Sequence, residues 1–175
     1  AAAARVAARA AGGAALVAGS VGPTGRFLTP VGDLEFDEAL EVFSEQVSSL
    51  VDAGADLIIL ETFSDIKEIR AALIAAKSVS AIPAVALMTF EPSGLTLLGS
   101  TPESIAVTLE AAGADAVGSN CGLGPEGILD VLRSMAAVTE LPLAAMPNAG
   151  MPRLEKGRTV FPATPEDMAG PIGEF

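Results

Sequence analysis

The chain has 175 residues, half of them apolar and 18% charged, with a mean hydropathy of +0.51. That length fits one domain with a substantial buried core, and no apolar run approaches the roughly 18 to 20 residues a membrane helix requires. Ten basic residues against twenty-two acidic ones give a net charge of −12, a surface that repels a phosphate backbone and an anionic leaflet and so argues against nucleic-acid and membrane partners. One cysteine and no histidine exclude an internal disulfide, fit a reducing cytoplasm, and remove Ser/His/Asp hydrolysis and His-ligated zinc from this chain's chemistry.

The Ala-rich start, Ala1 to Ala15 with Arg5 and Arg9, reads as the tail of a helix in a longer chain. A first strand is predicted over 15–19. The segment after it, Gly19-Ser20-Val21-Gly22-Pro23-Thr24-Gly25, is glycine-rich, but its spacing does not fit a dinucleotide fingerprint and no helix opens until about Asp37. A helical pattern over 37–53 ends in Ala53-Gly54-Ala55-Asp56, where the glycine supplies a left-handed C′ position. The second strand, 56–61, runs into Glu61-Thr62-Phe63-Ser64-Asp65, and Asp65, like Asp37, reads as a helix cap.

A helix over 65–78 leads to a third strand over 83–89, followed by Thr89-Phe90-Glu91-Pro92-Ser93-Gly94. Thr101-Pro102-Glu103 opens a helix over 103–112, and Ala112-Gly113-Ala114-Asp115 closes it. The two AGAD copies lie 59 positions apart. A fourth strand over 115–119 enters Gly118-Ser119-Asn120-Cys121-Gly122-Leu123-Gly124-Pro125, and a helix follows over 126–138. The fifth strand, 142–147, continues into Pro147-Asn148-Ala149-Gly150-Met151-Pro152. The stretch 150–162 reads as a long loop, with a last helix opening at Thr164-Pro165-Glu166.

Alternating strands and helices imply an α/β fold with a parallel sheet. The strands lack clean polar–apolar alternation, as expected when both faces are buried. Periodicity leaves two architectures open: part of a (β/α)8 barrel, or a complete five-stranded doubly wound sheet. In either, the polar and glycine-rich segments all follow strands, so they share the carboxyl-end face where chemistry gathers in such folds.

Three residues on that face stand out. Glu61 ends an apolar run, so its carboxylate requires donors or a cation; it is either a salt-bridged or capping acid or a holder of a substrate ammonium. Cys121 sits between a strand and a helix opening, where positive partial charge favours thiolate over thiol. It is an inert core cysteine, a nucleophile without a histidine partner, or a metal ligand. Asn148 forms an Asx-turn or serves the site.

The segment Gly118–Pro125 resembles the G-x-N-C-x-x-G-P motif of homocysteine S-methyltransferase domains, a family that includes the first domain of cobalamin-dependent methionine synthase and the betaine-homocysteine methyltransferases. Ala18–Gly25 is similar to that family's third-strand loop, Asp56–Asp65 to its fourth strand and loop, and Pro147–Pro152 to its seventh. The resemblance is collinear over nearly the whole chain. It implies a (β/α)8 TIM barrel of which residues 1–175 form a single partial domain covering about strands 3 to 7, with strands one and two absent. It implies zinc held by three cysteines, the first at Cys121 and the other two adjacent in a segment beyond Phe175. It further implies that Glu61, Asn120 and Asn148 bind homocysteine, with Asn120 flooring the site beside Cys121. The methyl donor would be methylcobalamin charged from a methyl-folate, betaine, or S-methylmethionine, with any cobalamin carried on a companion domain. An open segment of such a barrel exposes edge strands and apolar faces and is expected to oligomerise unless complemented. Two other readings of the residues remain open: a catalytically degenerate barrel, and an independent five-stranded enzyme with Cys121 as its nucleophile.

Overall fold

A computed structural model describes residues 2–174, leaving Ala1 and Phe175, the two ends named above, outside the described residues. Helix α1 (Ala2–Ala11) precedes four strand–helix units: β1 (Ala18–Val21) with α2 (Phe36–Val51), β2 (Leu57–Phe63) with α3 (Ile66–Val79), β3 (Ala84–Met88) with α4 (Pro102–Ala111), and β4 (Ala116–Asn120) with α5 (Pro125–Ala136). Strand β5 (Leu143–Met146) follows, then a hairpin of β6 (Arg153–Glu155) and β7 (Arg158–Val160), helix α6 (Pro165–Ala169) and a closing 3-10 turn.

Strands β1 to β5 form one parallel sheet in the order β1-β2-β3-β4-β5. Every strand pairs with the next in sequence, so the sheet has no point at which strand order reverses. A doubly wound sheet must reverse. Helices α2, α3, α4 and α5 touch one another in succession, which places them along one face of the sheet. The architecture is that of a partial (β/α)8 barrel.

Burial follows from this arrangement. Val21, Ile58, Leu60, Ala84, Ala86, Met88 and Val117 point at the helices and are fully buried. On the opposite face Leu57, Ile59, Val85 and Ala116 are half-buried, and Ala18 and Ser20 are exposed. The expectation that both faces are covered therefore holds for the helix face throughout and, on the other face, only toward β3 and β4, where Leu87, Gly118 and Asn120 are buried. Five strands make an arc, and an arc does not fill its own interior.

The AGAD repeat has a physical explanation. Gly54 and Gly113 adopt φ of 94° and 92°, and the next residues, Ala55 and Ala114, donate back to the carbonyls of Leu50 (3.2 Å) and Leu109 (3.0 Å). This is the six-to-one closure of a Schellman end. Each following aspartate then reaches the entrance of the preceding strand. Asp56 Oδ2 accepts from the Val17 N–H at 2.7 Å, and Asp115 Oδ2 accepts from the Ala84 N–H at 2.8 Å and from Lys77 Nζ at 3.0 Å.

Several boundaries differ from expectation. The apolar run at Ala15–Val17 precedes β1, because the Val17 N–H is taken by Asp56 and not by a neighbouring strand. Asp37 is not a cap: Glu35 holds the N-cap position without a side-chain bond, and Asp37 lies in the first turn of α2, where it faces the positive end of the helix. Asp65, Thr101 and Thr164 do cap their helices, the last in a reciprocal capping box with Asp167. The stretch 150–162, expected to be a loop, contains the β6–β7 hairpin, turned at Lys156 and Gly157 with both φ positive.

Asp115 is held below its ordinary carboxyl value of 3.8 first by the Ala84 N–H and then by Lys77. A depressed folded value stabilises the fold above the ordinary value and loses that contribution as pH falls through the folded one. Asp115→Ala should therefore lower unfolding free energy by about 0.5–1.5 kcal/mol at neutral pH, with the deficit shrinking in urea melts at progressively acidic pH. An equal deficit at all pH values would contradict this.

Candidate active site at the carboxyl rim of the sheet

Register places the candidate residues on one edge. Phe63 and Ser119 both pair with Met88, and Asn120 pairs with Met146. Glu61, Thr62, Thr89, Asn120, Cys121 and Asn148 therefore all lie at or just beyond the carboxyl ends of their strands.

The rim is organised by an irregularity in β2. Pairing with β3 breaks between Leu60 and Phe63, and within the break Thr62 adopts φ of 67°. Left-handed backbone is unfavourable for a β-branched residue, so neighbours must hold it. Asn120, on β4 and only 2% exposed, does this. Its Oδ1 accepts the Thr62 N–H at 2.8 Å, and its Nδ2 donates to Thr62 Oγ1 at 2.8 Å. On the far side of the bulge Phe63 is fully buried with its ring 5.8 Å from that of Phe43 on α2.

Glu61 opens the bulge and is half-buried. Its Oε1 accepts a hydrogen bond from the Ser20 hydroxyl on β1. This is the donor the sequence demanded for an acid at the end of an apolar run, and it leaves the remaining carboxylate capacity facing the open side of the sheet.

Cys121 follows Asn120 and is also left-handed, at φ of 56°, with Gly122 at 63°. Two successive left-handed residues turn the chain abruptly from β4 toward α5. The turn is held by the Cys121 N–H to Met146 O (3.1 Å), the Leu123 N–H to Cys121 O (2.6 Å) and the Thr89 hydroxyl to Asn120 O (3.0 Å). A side chain at position 122 would bring its Cβ within 2.4 Å of Phe90 O. Gly118 is equally constrained, because an added Cβ would meet Ala144 O at 1.9 Å. The Cys121 thiol is half-buried, and its Sγ receives Asn120 Nδ2 at 3.4 Å.

Asn148 is joined to the same turn through its backbone: its N–H donates to Leu123 O at 3.0 Å, and its own carbonyl receives Gly150 N–H at 2.8 Å. The backbone carbonyl, not an Asx side chain, makes this turn. The structure thus links Asn120, Cys121 and Asn148 directly through the 120–124 turn, and Glu61 indirectly through the bulge that Asn120 holds. Sequence reasoning assigned no role to Thr62, Ser20 or Thr89. A threonine is a poor signal for left-handed backbone, and serine or threonine partners are common in any loop.

A soft donor at an open rim suits one corner of a metal site. Among the described residues no group of three His, Cys, Asp or Glu side chains is close enough to hold a metal, so this chain fits as the source of one ligand.

The fold and site together define an α/β-barrel chain with a thiol displayed at the carboxyl ends of its strands. The homocysteine S-methyltransferase family matches residues 1–175, and the chain belongs to that family. It is 32% identical over 164 residues to the methionine synthase of Mycobacterium tuberculosis and 30% identical over 164 residues to that of Mycobacterium leprae, covering 91% of this chain and 14% of each relative. The homocysteine methyltransferase MmuM from Escherichia coli superposes in its apo form with a TM-score of 0.64 at 30% identity, over 77% of this chain and 50% of that one. Its metallated form gives 0.64 at 29% identity, over 77% and 49%. The chain therefore spans about one-seventh of the methionine synthases and half of the smaller enzyme.

A second carboxylate near the rim is structural. Glu68, in the first turn of α3 and 3% exposed, accepts both the Thr24 N–H and the Thr24 hydroxyl at 2.7 Å, fixing the loop after β1. Burial raises its pKa above the ordinary 4.5, against the lowering effect of the Thr24 donors, and nearby Asp65 adds to the rise. A raised carboxyl makes the fold less stable as pH climbs from the ordinary value through the folded one. Glu68→Gln should remove that component, visible as the difference between variant and wild-type stability across this range. Glu68→Ala, which also strands both Thr24 donors, should cost about 1–3 kcal/mol more than Glu68→Gln, with the same dependence on pH. A flat difference for Glu68→Gln would show that the carboxyl is not raised.

Proposed function

We propose that this chain is the homocysteine-binding part of a methyltransferase that moves a methyl group onto the thiol of homocysteine to give methionine, with Cys121 as one of three cysteine ligands to zinc. The observation that carries this reading is the Cys121 thiol, displayed by a left-handed turn at the carboxyl rim of a homocysteine S-methyltransferase barrel. The other two sulfurs come from sequence outside this chain.

The chemical problem is deprotonation. A thiol with a pKa near 8.5 is mostly protonated at neutral pH, and the thiolate is the nucleophile. This chain contains no histidine to act as base. Zinc, when bound, supplies a Lewis acid that holds the substrate sulfur as a thiolate. The chain's own residues bind and orient. Glu61, held by Ser20, pairs with the homocysteine ammonium. Asn148, tied to the cysteine turn, orients the substrate from the β5 side, and Asn120 forms the floor beneath. The sulfur then attacks an electrophilic methyl group, and the donor leaves with the bonding electron pair. The similarity to methionine synthases favours methylcobalamin, recharged from a methyl-folate and carried on a companion domain, over betaine or S-methylmethionine. The reaction belongs to the cytoplasm, where thiols stay reduced.

In the full-length protein, Cys121→Ala should abolish both stoichiometric zinc and homocysteine methylation. Zinc retained at one per chain would remove Cys121 from the ligand set.

Glu61→Gln should raise KM for homocysteine about ten- to a hundredfold, the value of one charge-assisted contact, with little change for a simple alkanethiol lacking the amino group. Equal losses for both thiols would assign Glu61 to the scaffold.

A further inference from the structure

We infer that Asn120 is a positioning residue for the Cys121 sulfur and not a contact for the amino-acid part of the substrate; the inference rests on the thiolate-site reading above and deepens it. A side-chain amide offers one acceptor oxygen and two N–H donors. The backbone N–H of Thr62 can only donate, so the amide atom facing it at 2.8 Å is the oxygen. That fixes the other end as the NH2 group. One of its hydrogens reaches Thr62 Oγ1 at 2.8 Å, and the other reaches Cys121 Sγ at 3.4 Å. Both donors are thus committed within the chain, and the residue is only 2% exposed. Nothing on this amide is left to donate to a substrate carboxylate.

The bulge in β2 is therefore the source of the orientation. In a regular strand the Thr62 N–H would point into the ladder. At φ of 67° it points at Asn120, selects the oxygen end of the amide, and so aims an N–H at the sulfur two strands away. An N–H donor on a metal-bound thiolate draws electron density from the sulfur and fixes its side-chain rotamer, which is how groups behind a ligand tune a metal site.

The test uses the full-length protein with Co²⁺ in place of zinc, comparing wild type with Asn120→Asp, Asn120→Leu and Asn120→Ser. All three substitutions remove the N–H aimed at the sulfur, and only the first adds charge. The expected result is a sulfur-to-cobalt charge-transfer band displaced to longer wavelength in all three, while the ratio of kcat/KM for homocysteine to that for 2-mercaptoethanol stays unchanged. Thr62→Val, which keeps the backbone N–H, should leave the band in place. An unmoved band with a collapsed ratio would make Asn120 a substrate contact and overturn the inference. A displacement confined to Asn120→Asp would trace it to the added charge, with the same consequence. Absence of any sulfur band in the wild type would instead overturn the thiolate site itself, a failure distinct from either variant result. Should Asn120→Leu fail to fold, Asn120→Ser supplies the neutral comparison.

Discussion

A single backbone N–H, that of Thr62, governs the rim of this sheet. The break in pairing between Leu60 and Phe63 removes that donor from the β-ladder, and a backbone donor so released takes another acceptor. The acceptor is Asn120 Oδ1, reaching across β3 from β4. Three consequences follow from one bond. Thr62 is held in a conformation it would otherwise leave, Glu61 is turned toward Ser20 on β1, and the amide beside Cys121 can present only its NH2 end to the sulfur. The bulge re-aims side chains at the end of a strand, where bulges recur beside active sites.

Much of the fold was legible because it is repetitive. A parallel sheet built from sequential units demands the same local solutions each time, and the two AGAD segments are the same solution written twice. The glycine ends the helix in the left-handed region and the aspartate seals the entrance of the preceding strand. The glycine's role is local and legible; the aspartate's is not, because its partner lies 39 residues away in one copy and 31 in the other. Non-local partners leave no periodic trace. The same limit explains Asp37, which has the chemistry of a cap but stands two positions inside the N-cap Glu35. The hairpin at 153–160 escaped because its turn pairs a lysine with a glycine, outside the Asn-Gly and Asp-Gly pairs that mark such turns most clearly.

The site divides in the same way. The place of Cys121 at the carboxyl rim was legible from its setting, a thiol in a glycine-rich turn where a strand gives way to a helix. Gly118 and Gly122 are required there because backbone oxygens of Ala144 and Phe90 occupy the space a Cβ would fill. What escaped was the support. Thr62, Ser20 and Thr89 are ordinary residues whose importance lies in the groups they meet, and those meetings are set by a bulge that no local preference announces. Threonine argues against left-handed backbone, so here the local signal pointed away from the feature on which the rim depends.

The carboxylates of the rim show how a histidine-free chain can manage this chemistry. Glu61 and Glu68 occupy comparable places on successive elements, yet their surroundings give them different work. Glu68 is almost sealed and spends its Oε1 on both donors of Thr24, which leaves it no route to a substrate. Glu61 is half open and meets one hydroxyl, so it keeps the capacity to hold a cation. The proposed reaction leaves activation of the substrate sulfur to a bound metal, because the chain has no histidine to take the proton. On this rim the group suited to share that task is the half-buried thiol of Cys121, set in place by its own turn and faced by an amide that can offer it nothing but a donor.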